Sequence, residues 1–282
     1  MVEKRSWFTL AAHLVLILGV ALIAFPLYVT LIATTHALPT LLQGRMPLTP
    51  GDQAWTNYAT VLGEGVSLSG TPPVSLMLLN TLVVALGISL GKIAISIIAA
   101  YAIVYFRFPF RMTCFWLIFV TLMLPVEVRI LPTYKVVADL GLLDSYTGLI
   151  LPLIASATGT FLFRQFFMTV PPELAEAARI DGAGPIRFFL HILLPLARNS
   201  MAALFVIQFI YGWNQYLWPL VVTTKQSYYT VVLVMSRLVN VVDVAPRWNL
   251  IMAIALLAMI PPVIVVIAMQ RWFVKGLVET EK

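Results

Sequence analysis

Cysteine, histidine and charge are all scarce in this chain, and each scarcity removes a class of protein. One cysteine, Cys114, among 282 residues excludes an internal disulfide. Three scattered histidines, His13, His36 and His191, give no usable metal spacing. His13 and His191 suit interior hydrogen bonding better than ligation. Charged residues are only 11% of the chain, whereas a water-soluble domain carries about 25%. A formal net charge of +6 invites a nucleic-acid reading. The basic residues, however, are scattered at the ends of apolar runs and not clustered, so no nucleic-acid partner is expected.

What the chain has in excess is apolar length. Hydrophobic residues are 61% and mean hydropathy is +0.95, so lipid is its surroundings and the fold class is all-α integral membrane. Lys4 and Arg5 precede an apolar run from Trp7 to about Thr34, too long for a signal peptide and read as a retained first span. Residues 36–73 turn polar and rich in Pro, Gly and Thr, an irregular external loop. Further spans are read at 76–106, at 114–128 (short, ending near Pro125), at 147–168, at 197–222 and at 249–273. Between the third and fourth lies an external, partly helical loop, 131–146. That makes about six transmembrane helices for a ~30 Å core. The expected division is 1–74 as first helix plus external loop, 75–273 as the main transmembrane domain, and 274–282 as a tail.

Orientation follows from the basic residues. Lys4, Arg5, Arg107, Arg111, Arg164, Arg179, Arg187, Arg198, Arg271, Lys275 and Lys282 fall on one side. Fewer, from Arg45 and Arg129 to Lys225 and Arg247, fall on the other. The richer side is cytoplasmic, which places both termini there.

On that side lies a polar island, ELAEAARIDGAGPIRFFLHILLP, from Glu173 to Pro195 within a loop 171–195. Pro171 and Pro172 stop the preceding span and start a helix. Glu173 to Ile180 are good helix formers, with acids toward the positive end of the dipole. Gly182 and Gly184 break the helix and Pro185 starts another. Leu174, Ala177, Ala178, Phe188 and Phe189 are apolar residues that such a helix-turn-helix must bury. The island matches E-A-A-x-x-x-G-x9-I-x-L-P at Glu176, Ala177, Ala178, Gly182, Ile192, Leu194 and Pro195. An ordinary amphipathic linker would not place seven fixed residues at these spacings.

Other signals are local. Gly87 to Ile93, GISLGKI, imitates a P-loop but is one residue short, lacks the magnesium-binding Ser or Thr, and lies in mid-span. Its G-x-x-x-G is better read as close helix packing. No Ser/His/Asp set and no carboxylate pair can be placed at one depth, so no catalysis is expected. Gln208, Tyr211, Trp213, Asn214 and Gln215 in the fifth span are either interhelical hydrogen-bonding groups or the wall of a solute pathway. Glu127 and Arg129 lie near the outer mouth, as a surface ion pair or a functional one, and Lys135 follows on the same side. Lys92 is the one charge deep in a span, ~24 Å from its outer end and ~21 Å from its inner end, too far to snorkel. Helix carbonyls, Asn214, Gln215 or cavity water are its expected partners. It is either a buried structural contact or an attractor of anionic cargo.

The polar island resembles the EAA loop of permease subunits in bacterial ABC importers. GWNQYLWPL and QRWFVKGL are similar to segments of the second permease subunit of carbohydrate-type importers. LMLPVEVRI, SATGTFLFRQFFMT and the overall length are similar to the subunit that serves sn-glycerol-3-phosphate uptake. The resemblance implies a heterodimer with a second permease, two cytoplasmic ATPase subunits and an external binding protein. It also implies that Glu176, Ala177, Ala178, Asp181, Gly182, Ile192, Leu194 and Pro195 form the ATPase-coupling surface, Glu176 toward basic residues of the ATPase. This chain would bind no cofactor, since ATP and magnesium sit on the partner. Candidate pathway residues are Lys92, Arg129, Lys135, Asn214 and Gln215. A sugar or polyol permease of the same family is the alternative cargo reading. A secondary carrier would need intramembrane carboxylates and internal repeats.

Overall fold

The computed structural model describes residues 6–64, 72–121, 124–240 and 245–278. Lys4, Arg5 and Lys282 lie outside the described residues, as do the side chains of Glu127 and Lys275. Every regular element among them is helical. Contacts divide the chain into two compact units.

One unit combines the chain up to Ser75 with Val234–Met259. Helix α1, Ser6–Ala33, is apolar throughout and exposed along nearly its whole length, the pattern of a helix that lipid covers. Its 28 residues span ~42 Å at ~1.5 Å per residue. The following segment, expected to be irregular, is folded. It holds short helices at Leu38–Leu41 and Ala54–Ala59 and a π turn at Thr60–Glu64. Buried Asn57 fixes it, donating to the carbonyls of Thr34 at 2.8 Å and His36 at 3.0 Å and accepting from Asn249 at 2.8 Å. Hydrogen bonds from a side-chain amide do here what helix periodicity does elsewhere, which is why the apolar pattern does not reveal the fold.

The other unit runs from Leu76 to Leu233 and resumes at Ile260. Its spine is α2, Val74–Tyr105, 32 residues long. Phe110 in a left-handed conformation (φ 63°) turns the chain into α3, Arg111–Val120, and Pro125 leads into α4, Val126–Asp139. The segment read as a third span is thus divided, and α3 alone has ten residues. Exposed Cys114 lies on α3, next to Phe115, whose ring carries the Arg164 guanidinium at 4.3 Å.

The fourth span is also broken. Helix α5, Tyr146–Ile150, continues as a 3-10 turn to Leu153, and α6 runs Ala157–Thr169 at a 48° bend. Ser156 makes the break by capping α6, its hydroxyl oxygen accepting from the Gly159 amide at 3.1 Å. After the polar island, α7 (Pro172–Ile180) and α8 (Pro185–Phe188) pass through a π turn into α9, Arg198–Trp213. That passage bends by 71°. The fifth span then stops at Asn214 and restarts as α10, Leu217–Val222. The final helix, α12, is Trp248–Val278, preceded by α11, Val231–Val239. Among the described residues, three helices are long and apolar enough to cross a membrane alone. Two bent pairs raise the number to five.

Two cores share α2. Val84 and Ile88 pack with Val137, Leu149, Trp218 and Val222. Ile97 and Ala100 pack with Phe163, Phe167, Ala178, Phe188 and Leu204. The glycine pair on α2 lets Ile150 and Ile154 approach its backbone closely. A methyl on Gly87 would stand 2.6 Å from Ile150 Cδ1, and one on Gly91 2.5 Å from Ile154 Cγ2. The look-alike P-loop is a packing face. Beyond it, buried Asn80 donates to the carbonyls of Ser227 (2.8 Å) and Tyr229 (3.0 Å) and accepts from the Tyr146 hydroxyl (2.6 Å).

Candidate functional site

Lys92 falls on α2 between the two cores, and there the interior opens. A cavity of about 720 Å³ is lined by Lys92, Ile95 and Ala99 of α2, by Arg129 of α4, by residues 155–158 and Thr160 where α6 begins, and by Ile207, Gln208 and Tyr211 of α9. Lys92 is only 8% exposed. Its Nζ donates to Gln208 Oε1 at 2.9 Å and stands 3.8 Å from the centre of the Tyr211 ring. Residues three apart on a helix share a face, so one stripe of α9 supplies both contacts. Magnitudes explain why the charge is tolerated. A lysine at a helix centre costs about 2.5–3.5 kcal/mol on insertion. A hydrogen bond from a charged donor returns about 1.5–3 kcal/mol, and a desolvated cation–π contact about 2. The two together offset the cost.

The pathway residues read from the sequence separate here. Lys92 and Arg129 face one cavity. Lys135 is exposed on α4 and does not line it; six helical positions from Arg129 turn a side chain to a different face. Asn214 and Gln215 do not line it either. They follow the last turn of α9, and their amides donate back to the carbonyls of Ile210 at 2.9 Å and Tyr211 at 3.1 Å. The Ile210 carbonyl also accepts the backbone N–H of Asn214 at 3.1 Å, so both side-chain amides serve to close the end of the helix. Gln208 and Tyr211 hold Lys92 instead. The readable signal for them was an amide and an aromatic ring three apart on the face opposite a buried lysine. The irregular backbone between α5 and α6 belongs to the same wall, since Ala155 and Ser156 line the cavity. At membrane depth such backbone survives only inside protein or beside a cavity.

The polar island forms a second surface. Pro172 occupies the first turn of α7, with Glu173 in that turn and Arg179 in the last. Gly182 takes φ +72°, a left-handed turn that glycine adopts without steric cost. Ala178 and Phe188 are buried and Phe189 half-buried, as the apolar pattern requires, whereas Leu174 and Ala177 stay exposed. An aromatic socket at the end of α2 receives the buried side. Tyr101 donates its hydroxyl to the Pro185 carbonyl at 2.9 Å and meets Phe189 in a tilted ring contact at 4.8 Å. Tyr105 meets Phe188 edge-on at 5.4 Å. A cavity of about 230 Å³ remains beside them, between Tyr101, Tyr105, Arg179 and Ala183. Neither tyrosine was singled out from sequence, where both look like ordinary residues near a span's end.

The outer side of the island is bare. Glu176, Asp181 and Gly182 are exposed, Ile192 and Leu194 half-buried, Pro195 exposed. Ile180 is 86% and Ile186 74% exposed. Exposed acids (Glu173, Glu176, Asp181) and exposed arginines (Arg179, Arg187) surround these two uncovered isoleucines, an apolar patch with a charged rim of both signs. Of the histidines, His191 lies within the polar island itself and His13 on α1. His13 and His191 are exposed, not interior, and each bonds a carbonyl four residues earlier.

Residues 92–279 match the family described as binding-protein-dependent transport system inner membrane component. The sn-glycerol-3-phosphate transport system permease protein UgpE of Agrobacterium fabrum is 57% identical over the whole of both chains. Those of Rhizobium meliloti and of Yersinia pestis are each 56% identical over the same full extent. Among solved structures, a bacterial ABC transporter that imports the acidic polysaccharide alginate superposes with a TM-score of 0.81. It is 21% identical, and the match covers 97% of this chain and 99% of that one, a likeness of fold.

Proposed function

Because this chain belongs to the family of binding-protein-dependent transport system inner membrane components, we propose that it moves sn-glycerol-3-phosphate, or a related glycerophosphodiester, as one permease of an ATP-driven importer. The observation that carries the cargo is 57% identity, end to end, with a protein named for that solute. The chain is a transport component, not an enzyme. Its partners are a second permease, two cytoplasmic ATPases that hold ATP and magnesium, and an external binding protein. The chain crosses the inner membrane six times, α3 belonging to the third crossing, and both termini are cytoplasmic.

Coupling runs through contiguous contacts. Glu176 and Asp181 face basic residues of an ATPase while Ile180 and Ile186 enter an apolar recess on it. Movement of that ATPase shifts α7 and α8. Those helices are fixed to α2 through Tyr101 and Tyr105, and Lys92 lies nine positions away on the same helix, ~14 Å along its axis. The Lys92 cavity is a segment of the solute path. Co-purification with ATPase and binding protein, followed by uptake of labelled sn-glycerol-3-phosphate in proteoliposomes, tests the reading. An isolated chain with no associated ATPase would refute it. A reporter fused at Asp181 should be active only in its cytoplasm-active form.

A further inference from the structure

We propose that the Lys92 cavity contains an anion subsite for the cargo's phosphate group, with Lys92 and Arg129 as its charged contacts and Gln208 and Tyr211 as positioning residues for Lys92. The identity of the cargo rests on the importer reading above; the subsite rests on charge and geometry. Two cations from different helices, α2 and α4, line one cavity, and among the described residues no Asp or Glu does. The partners of Lys92 are a neutral amide oxygen and a ring face. They orient the ammonium without cancelling its charge. Of its three N–H groups, Gln208 takes one and the ring of Tyr211 faces another. Arg129 is exposed to the cavity and carries a planar fork that matches phosphate oxygens. The first turn of α6, a helix of 13 residues, adds the partial positive charge of a helix N-terminus to the same wall.

Size and strength agree with this use. The volume, about 720 Å³, lies inside the roughly 300–1,000 Å³ range of small-molecule sites. A three-carbon phosphate therefore fits with water around it. The cavity is too wide for every phosphate oxygen to be gripped at once. Weak retention suits a step that the cargo must leave as readily as it enters.

The discriminating variant is Gln208→Glu. It keeps the shape of the side chain and its bond to Lys92 but neutralises the ammonium. If Lys92 is only a structural contact, a carboxylate holds it better and uptake is unchanged. If it binds phosphate, uptake falls. The test uses the whole importer with its binding protein, reconstituted in phosphatidylcholine vesicles with or without phosphatidylglycerol, and labelled sn-glycerol-3-phosphate below saturation. Gln208→Glu, Lys92→Gln and Arg129→Gln should each assemble and lower uptake about tenfold, the loss of one charge-assisted contact. Arg129→Lys, which keeps the charge but not the fork, should recover part of it. Arg129 is exposed, so its variants probe the subsite even if Lys92→Gln fails to assemble. Equal uptake by wild type, Gln208→Glu and Arg129→Gln overturns the subsite alone. A loss confined to vesicles containing phosphatidylglycerol means that an anionic lipid headgroup occupies the site and also overturns it. No uptake by the wild type overturns the cargo reading and this assignment together.

Discussion

The hydroxyl of Tyr101 donates to the carbonyl of Pro185 at 2.9 Å, so the helix that carries Lys92 is bonded directly to the polar island. Tyr101→Phe removes that bond and keeps the ring contact with Phe189. The net loss is about 1 kcal/mol, too little to prevent assembly but enough to loosen the joint. ATP hydrolysed per cargo molecule taken up should rise in proteoliposomes. An unchanged ratio would show that the bond plays no part in coupling.

Gly182 separates conformational strain from crowding. Nothing lies within 4 Å of a Cβ placed there, yet φ is +72°. Gly182→Ala should therefore cost about 1–2 kcal/mol through the backbone alone, and Gly182→Asn less, because Asn tolerates the left-handed region. ATPase retained on the purified permease should fall in the order Gly, Asn, Ala. Retention by Ala equal to wild type would contradict the strain argument. Glu176→Lys, at an exposed position, should release the ATPase without harming membrane insertion, because like charges then face each other.

Asn80 satisfies two loop carbonyls and one tyrosine hydroxyl from a fully buried position. Asn80→Leu leaves all three without their partner. A loss of about 2–4 kcal/mol follows from the cost of unpaired buried polar groups. Thermal unfolding in detergent reads it directly, and a midpoint within a degree of wild type would refute the assignment.

Asp144 supplies the pH dependence. Burial alone would raise its carboxyl pKa. The amide of Lys225, the hydroxyl and amide of Thr224 and the charge of Lys225 outweigh burial and hold it below 3.8. A folded pKa below the unfolded one stabilises the fold above about pH 3.8, and that contribution is lost as pH falls through the lower folded value. Asp144→Asn should be less stable than wild type by a constant margin from pH 5 to 8, and the margin should shrink in stronger acid. A margin that stays constant at pH 2 would show that the charge is not its source.

Where apolar periodicity dominates, the fold was legible. α1, α2 and α12 begin and end within a few residues of the runs at 7–34, 76–106 and 249–273, because nothing competes with a long apolar helix. The breaks were harder to read. Hydropathy is blind to a cap, so Ser156 and Pro152 passed as span residues although together they end one helix and start another. Asn214 likewise ends α9 inside an apolar stretch. At the site, Lys92 and Arg129 stood out because charge is rare here. Gln208 as the partner of Lys92 did not, since 116 residues separate them and only the tertiary fold sets that distance. Tyr101 and Tyr105 were hidden for the same reason.

Cys114 is the one thiol in 282 residues and stands exposed on α3. Its neighbour Phe115 is held against Arg164 of α6, the helix whose first turn faces the cavity. A membrane-permeant maleimide therefore attaches one dye or spin label to each wild-type copy of this chain, with no thiol to remove first. The mobility and polarity reported by that label follow the α3–α6 joint through a turnover cycle in the unaltered sequence.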